Sequence, residues 1–202
     1  MGCRGGGVNA RDQEAEFARL ALANTLNGLI LERLVATDLS DCWLVAGCLF
    51  QTVWNLRSGR PADENISDYD VFYFDATDLS WEAEDLHIRR LAADLRGVPV
   101  KVELRNQARV HLWYAKKFGP GYPQLRSSRD GIDRFLVDCT RVAIRLVADP
   151  LMGQKYELYA PGSLDDLFAG ILRPNALNDR SERFRAKAES YRARWPWLTV
   201  AS

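Results

Sequence analysis

Ser67-Asp68-Tyr69-Asp70-Val71-Phe72-Tyr73-Phe74-Asp75 is the stretch that decides how this chain folds. Aromatic and β-branched residues fill it, and such residues fit a pleated, half-buried surface, so it reads as the clearest strand in the sequence. Side chains alternate along a strand, which puts Asp68 and Asp70 on one face. Two carboxylates that close repel unless a cation or a proton sits between them. A hard divalent cation with oxygen ligands satisfies that need. Magnesium typically takes one or two carboxylates together with substrate phosphates.

Toward the N-terminus, Trp43 to Ala46 is a short apolar run that ends at Gly47, as a buried strand does. Gly47 to Leu56 then reads as a helix with Leu49, Phe50, Val53 and Trp54 on its apolar side. A helix N-terminus offers unpaired N–H groups and the positive end of a dipole, which attract phosphate. Glycine there lets a phosphate approach the backbone. Further upstream, apolar residues recur at helical spacing from Ala10 to Val35, with a break expected near Asn27-Gly28.

Toward the C-terminus, Ser80 caps a helix from Trp81 to Leu95, whose first turn holds Glu82, Glu84 and Asp85. Gly97 ends it. Val98 to Leu104 alternates apolar and polar, as a half-buried strand does, and Glu103 is one of its polar positions. If that strand neighbours the first, Glu103 completes a cluster of carboxylates able to hold two ions about 3.5–4 Å apart. Asn106, Gln107, Arg109 and His111 follow directly, and polar residues at a strand end can line a cleft. Arg109 is the favoured phosphate partner among them, because its planar fork matches phosphate oxygens. Core packing is preferred over base stacking for Trp113 and Tyr114. The order is therefore strand, glycine, helix, loop, Asp-x-Asp strand, helix, Glu strand.

The remaining pattern is a helical turn from His111 to Tyr114, a loop with Pro120, Gly121 and Pro123, and a helix from Ile132 to Val137. Strands at Val142–Val147 and Tyr156–Ala160 flank a Pro150–Gly153 turn, and Ser163 caps a short helix. The last helix runs from Ser181 to Arg194. With Arg180 just ahead of it, it carries Arg183, Arg185, Lys187, Arg192 and Arg194, a run that usually makes a solvated face, with a clamp for triphosphate or an acidic partner as the alternative.

At 202 residues, 47% hydrophobic and 27% charged, the chain suits a globular domain that buries a full core without disulfides. Net charge is zero, whereas a grip on long nucleic acid usually shows as a basic excess, so a small or local ligand is expected. Cys3, Cys42, Cys48 and Cys139 have no metal-site spacing, and only two histidines exist, so a Cys/His metal cage is not expected. Scattered cysteines suit a reducing cytoplasm, and Cys42, Cys48 and Cys139 read as small buried side chains. No apolar run is long enough to span a bilayer, and the glycine-rich start reads as a flexible tail.

Five stretches in order carry a family resemblance: Trp43 to Trp54 (WLVAGCLFQTVW), Ser67 to Asp75 (SDYDVFYFD), Val102 to Tyr114 (VELRNQARVHLWY), Tyr159 to Phe168 (YAPGSLDDLF) and the ending around Trp195-Pro196. Together they resemble the nucleotidyltransferase superfamily with the DNA polymerase β-like fold, and more closely a bacterial family of uncharacterised predicted nucleotidyltransferases. The resemblance implies an α/β (α+β) fold, a mixed twisted sheet flanked by helices with a small C-terminal helical part. It implies a tail over residues 1–9, a core over 10–150 and an extension over 151–202. It further implies Asp68, Asp70 and Glu103 as ligands of Mg2+ or Mn2+, Gly47 for the phosphate-facing turn, and an NTP as substrate with an unknown small or macromolecular acceptor. Cys48 stands where the superfamily usually has a phosphate-contacting Ser. Three rivals stay open: a degenerate nucleotide- or protein-binding member, a toxin–antitoxin component using the basic last helix, and a metal-dependent hydrolase.

Overall fold

The computed structural model describes residues 9–118, 122–178 and 181–201. The tail over residues 1–8 with Cys3, the loop residues Pro120 and Gly121, and Arg180 lie outside the described residues. The aromatic stretch forms β2 (Tyr69–Tyr73), whose burial alternates as its sequence does. It lies between β1 (Trp43–Val45) and β3 (Val102–Asn106) in a five-stranded sheet completed by β4 (Ala143–Asp149) and β5 (Gly153–Tyr159), in the order β3-β2-β1-β4-β5. Only β2 and β3 pair parallel; the other neighbours are antiparallel. A parallel pair needs a crossover, and α4 (Trp81–Asp94) supplies it. The expected mixed α/β architecture is therefore present. Because β4 and β5 pair across residue 150, the sheet continues beyond the division expected there.

One face of the sheet is covered by helices. Leu44, Val71, Leu104 and Ile144 point into a core shared with α1 (Ala10–Ala21), α2 (Thr25–Val35), α3 (Gly47–Arg57), α7 (Leu164–Ala169) and α8 (Ser181–Arg194). Trp54, at the centre, packs on Tyr191 and Trp195, with ring centroids 5.3 Å away in each case. Each fully buried side chain of this size contributes about 1.5–3 kcal/mol of transfer free energy, and the rings add contact terms. The other face has a smaller cluster, in which Trp43, Val45 and Ala143 meet Ile132, with Phe72 and Phe135 against them. Its partial cover comes from α5 (Val110–Phe118) and α6 (Ser128–Ile132), and a cleft remains.

Several boundaries differ from the sequence reading, each for a local reason. The first helical stretch breaks at residues 22–24 rather than at Asn27-Gly28. Asn24 caps α2 by accepting from Leu26 N, whereas Asn27 is fully buried and donates to Ala21 O and Cys48 O. The strand expected from Val98 starts at Val102, because Gly97 (φ +88°) turns the chain and Pro99 follows. No helix runs from Ile132 to Val137; the helix there is α6, capped by Ser127, and Val137 instead bridges to Pro174. A parallel pair of two-residue strands, β6 (Ile171–Leu172) and β7 (Thr199–Val200), was not anticipated. Among the described residues, no helix is long and apolar enough to cross a membrane.

Candidate active site

The start of the β2–β3 pair shapes the site. Tyr69, Val71 and Tyr73 face the helical core, which leaves Asp68, Asp70 and Phe72 on the cleft side. Both aspartates line a cavity of about 370 Å³, a size suited to a small organic ligand. No hydrogen bond ties either carboxylate to another described residue. Burial, then Asp68, then Glu103 push the Asp70 carboxyl up from 3.8 to about 6, while Lys187 and Arg105 pull it back. At neutral pH Asp70 is therefore largely ionised in a place that disfavours its charge.

Glu103 pairs in register with Asp70, so the two side chains share a face. It does not line the cavity, however. Its carboxylate is engaged by Lys101, and Arg105 lies 3.5 Å from its other oxygen. Among the described residues, no three His, Cys, Asp or Glu side chains are grouped closely enough to hold a metal ion. Of the three carboxylates, Asp68 and Asp70 are the two that reach the cavity. Two carboxylates with phosphate oxygens are a sufficient set for magnesium.

Gly47 lines the same cavity and opens α3, next to the aspartates because Val45 pairs with Asp70. The preceding Ala46 has φ 50° and ψ −109°, a conformation that L side chains rarely adopt. It is held by its N–H donating to Val142 O at 2.9 Å and by its carbonyl accepting from Leu49 N at 2.9 Å. No side chain caps α3, so the N–H groups at its start keep their capacity to bind an anion.

Two residues expected at the site are not brought to it. The Cys48 side chain is fully buried in the core, with Sγ 3.7 Å from Val45 O, and burial pushes its thiol well above the ordinary range. A thiol turned inward cannot replace the missing Ser hydroxyl. Arg109 is likewise turned away. Its guanidinium pairs with buried Glu84, and its Nε donates to Leu79 O at 2.8 Å. The other oxygen of Glu84 accepts from Asn106 N at 2.8 Å. Arg109 therefore fastens the end of β3 to α4.

Other side chains also reach the cavity, among them Gln107, read from the sequence as a cleft residue. Arg183, Lys187 and Tyr191 form an i, i+4, i+8 stripe of α8 that lines its wall. Buried Tyr191 packs edge-on against Phe50 and Trp54, which fixes the two cations over the cleft. The spacing was visible in the sequence, but only the packing of Tyr191 shows which way the stripe points. Trp113 and Tyr114, expected in the core, also line the cavity, where Tyr114 stacks on Tyr122 at 3.9 Å between ring centroids. Gln51, Arg105, Gln107 and Arg134 complete the polar lining.

A family model described as nucleotidyltransferase matches residues 32–200. An NMR structure described as revealing a CCA-adding enzyme head domain is similar over 96% of both chains, with a TM-score of 0.71 and 26% identity. No curated protein matches the chain. The matched span contains both aspartates, the glycine turn and the helix that closes the cleft, and this chain belongs to the nucleotidyltransferase family.

Proposed function

We propose that the chain is a metal-dependent nucleotidyltransferase that moves a nucleoside monophosphate from an NTP to an acceptor hydroxyl or similar group and releases pyrophosphate. The observation that carries this reading is the meeting of Asp68, Asp70 and the uncapped start of α3 on one cavity. Asp68 and Asp70 would hold magnesium or manganese, which when bound supplies positive charge to the phosphate oxygens. The N–H groups at the start of α3 hold the triphosphate tail, and Gly47 lets it approach. Arg183 and Lys187 add positive charge from the facing wall. Glu103, beside Asp70 in register, joins the acidic set and helps activate the acceptor once its pairing with Lys101 and Arg105 opens. The chemistry is positioning plus electrostatics, so loss of a metal-holding carboxylate is severe. The three free cysteines among the described residues support a reducing, cytoplasmic setting.

Calorimetry with each NTP and Mg2+ or Mn2+ tests the reading. Binding is expected for the wild type and none for Asp68→Ala/Asp70→Ala. A wild type silent towards every nucleotide sinks it. A second reading, a member that binds nucleotide without turning it over, is favoured by the inward Cys48 and the engaged Glu103. Pyrophosphate release separates the two.

A further inference from the structure

The cavity holds a polar atom that the transfer chemistry does not use. Gln51 lies one turn along α3 from Gly47, so the two share a helix face. Its side chain crosses that glycine closely: a Cβ added to Gly47 would stand 2.9 Å from Gln51 Nε2. Gln51 lines the cavity, yet its Oε1 is buried with no hydrogen-bond partner among the described residues. An unmet buried acceptor costs desolvation free energy with no return. Across the same cavity, Arg134 Nε is a buried donor in the same condition.

We propose that Gln51 Oε1 accepts a hydrogen bond from the nucleoside part of the substrate, from a sugar hydroxyl or a base amino group, and so makes binding depend on the nucleoside as well as on the phosphates. This rests on the reading that the cavity takes a nucleotide. The chemistry excludes the phosphate chain as the partner of Oε1, since ionised phosphate oxygens accept hydrogen bonds and cannot donate them. A nucleoside carries donors and acceptors together. It matches an orphan acceptor at Gln51 and an orphan donor at Arg134 in one cavity, which Trp113 and Tyr191 also line.

The test is calorimetry on the full chain with magnesium, using the four NTPs and inorganic tripolyphosphate, for wild type, Gln51→Leu and Gln51→Glu. Gln51→Leu is expected to weaken the best-bound NTP about tenfold and to leave tripolyphosphate unchanged. Gln51→Glu still accepts but adds a negative charge beside the phosphate turn, so it is expected to weaken NTP and tripolyphosphate by the same factor, to within about threefold, and to keep the preference for the nucleotide. Replacing an unpartnered amide by an apolar group of similar size is expected to leave Tm of the ligand-free protein unchanged or raise it by about 2–4 °C, whereas a structural glutamine would lower it. Equal NTP binding by wild type and Gln51→Leu overturns the inference and leaves the nucleotide reading intact. So does equal weakening of NTP and tripolyphosphate by that substitution. If Gln51→Glu loses NTP affinity relative to tripolyphosphate as Gln51→Leu does, the buried end of the amide donates and the assignment of Oε1 is overturned. If wild type binds no NTP, both fall together.

Discussion

The two ends of the β2–β3 ladder handle buried charge in opposite ways. At its far end, Glu84 is 3% exposed, yet one oxygen meets the Arg109 guanidinium and the other accepts from Asn106 N. At its near end, Asp70 is pressed by Asp68 and Glu103 and forms no hydrogen bond with a described residue. Opposite charges brought together there fasten one strand to its crossover helix. Like charges brought together here strain the fold and open onto a cavity. Burial alone therefore does not mark a functional carboxylate; burial without a balancing partner does.

Four experiments break or sharpen that contrast. Glu84→Ala should be the most damaging to stability, by about 3–5 kcal/mol in urea unfolding, because Arg109 is left buried without its counter-charge. Whatever folded protein remains should still bind nucleotide; a loss below about 1 kcal/mol would mean that the far-end pair is no fastening. Asp70→Ala should instead abolish turnover, lowering pyrophosphate release by at least about 100-fold, or roughly 2.7 kcal/mol. Near-normal release would remove Asp70 from the chemistry.

The third concerns pH. The Asp70 carboxyl titrates near 6 in the folded chain against an ordinary 3.8, so its ionisation costs stability. The penalty is absent below about pH 4, grows between pH 4 and 6 and is complete above that. Asp70→Asn should therefore be more stable than wild type by about 2 kcal/mol at pH 7.5 without divalent metal, and equal to it at pH 4. A pH-independent difference would refute the account of crowded charge. The smallest effect is expected for Glu103→Gln. Because Glu103 is off the cavity and must first leave Lys101 and Arg105, its share in activating the acceptor is small, and turnover should fall about tenfold. Unchanged turnover would remove Glu103 from the acidic set, and a loss as large as that of Asp70→Ala would make it an equal of the aspartates.

The near end was far more legible in the sequence than the far end. Period-two alternation alone puts Asp68 and Asp70 on one face, whereas Gly47 was tied to them only by the family resemblance, because the pairing of Val45 with Asp70 is not written in either stretch. Glu103 was read onto the right face by the same rule, but its engagement with Lys101 and Arg105 depends on rotamers, which no period encodes. Arg109 looked like a phosphate ligand because its partner Glu84 lies 25 residues away and was itself explained by the helix dipole. Cys48 was placed at the phosphate turn by the family's usual Ser, but its reading as a small buried side chain is the one that helix rotation into the core produces. The basic stripe of α8 looked like a solvated face, because its orientation is set by Tyr191 and Trp195 packing on Trp54.

The two-residue ladder of β6 and β7 also bears on the cavity. After α8 the chain turns through buried Trp195, and Thr199 and Val200 lie alongside Ile171 and Leu172. This pairing anchors the chain just beyond α8, and Tyr191 on Phe50 and Trp54 anchors the helix itself. Two residue pairs outside the cavity lining therefore help to hold the wall that carries Arg183 and Lys187.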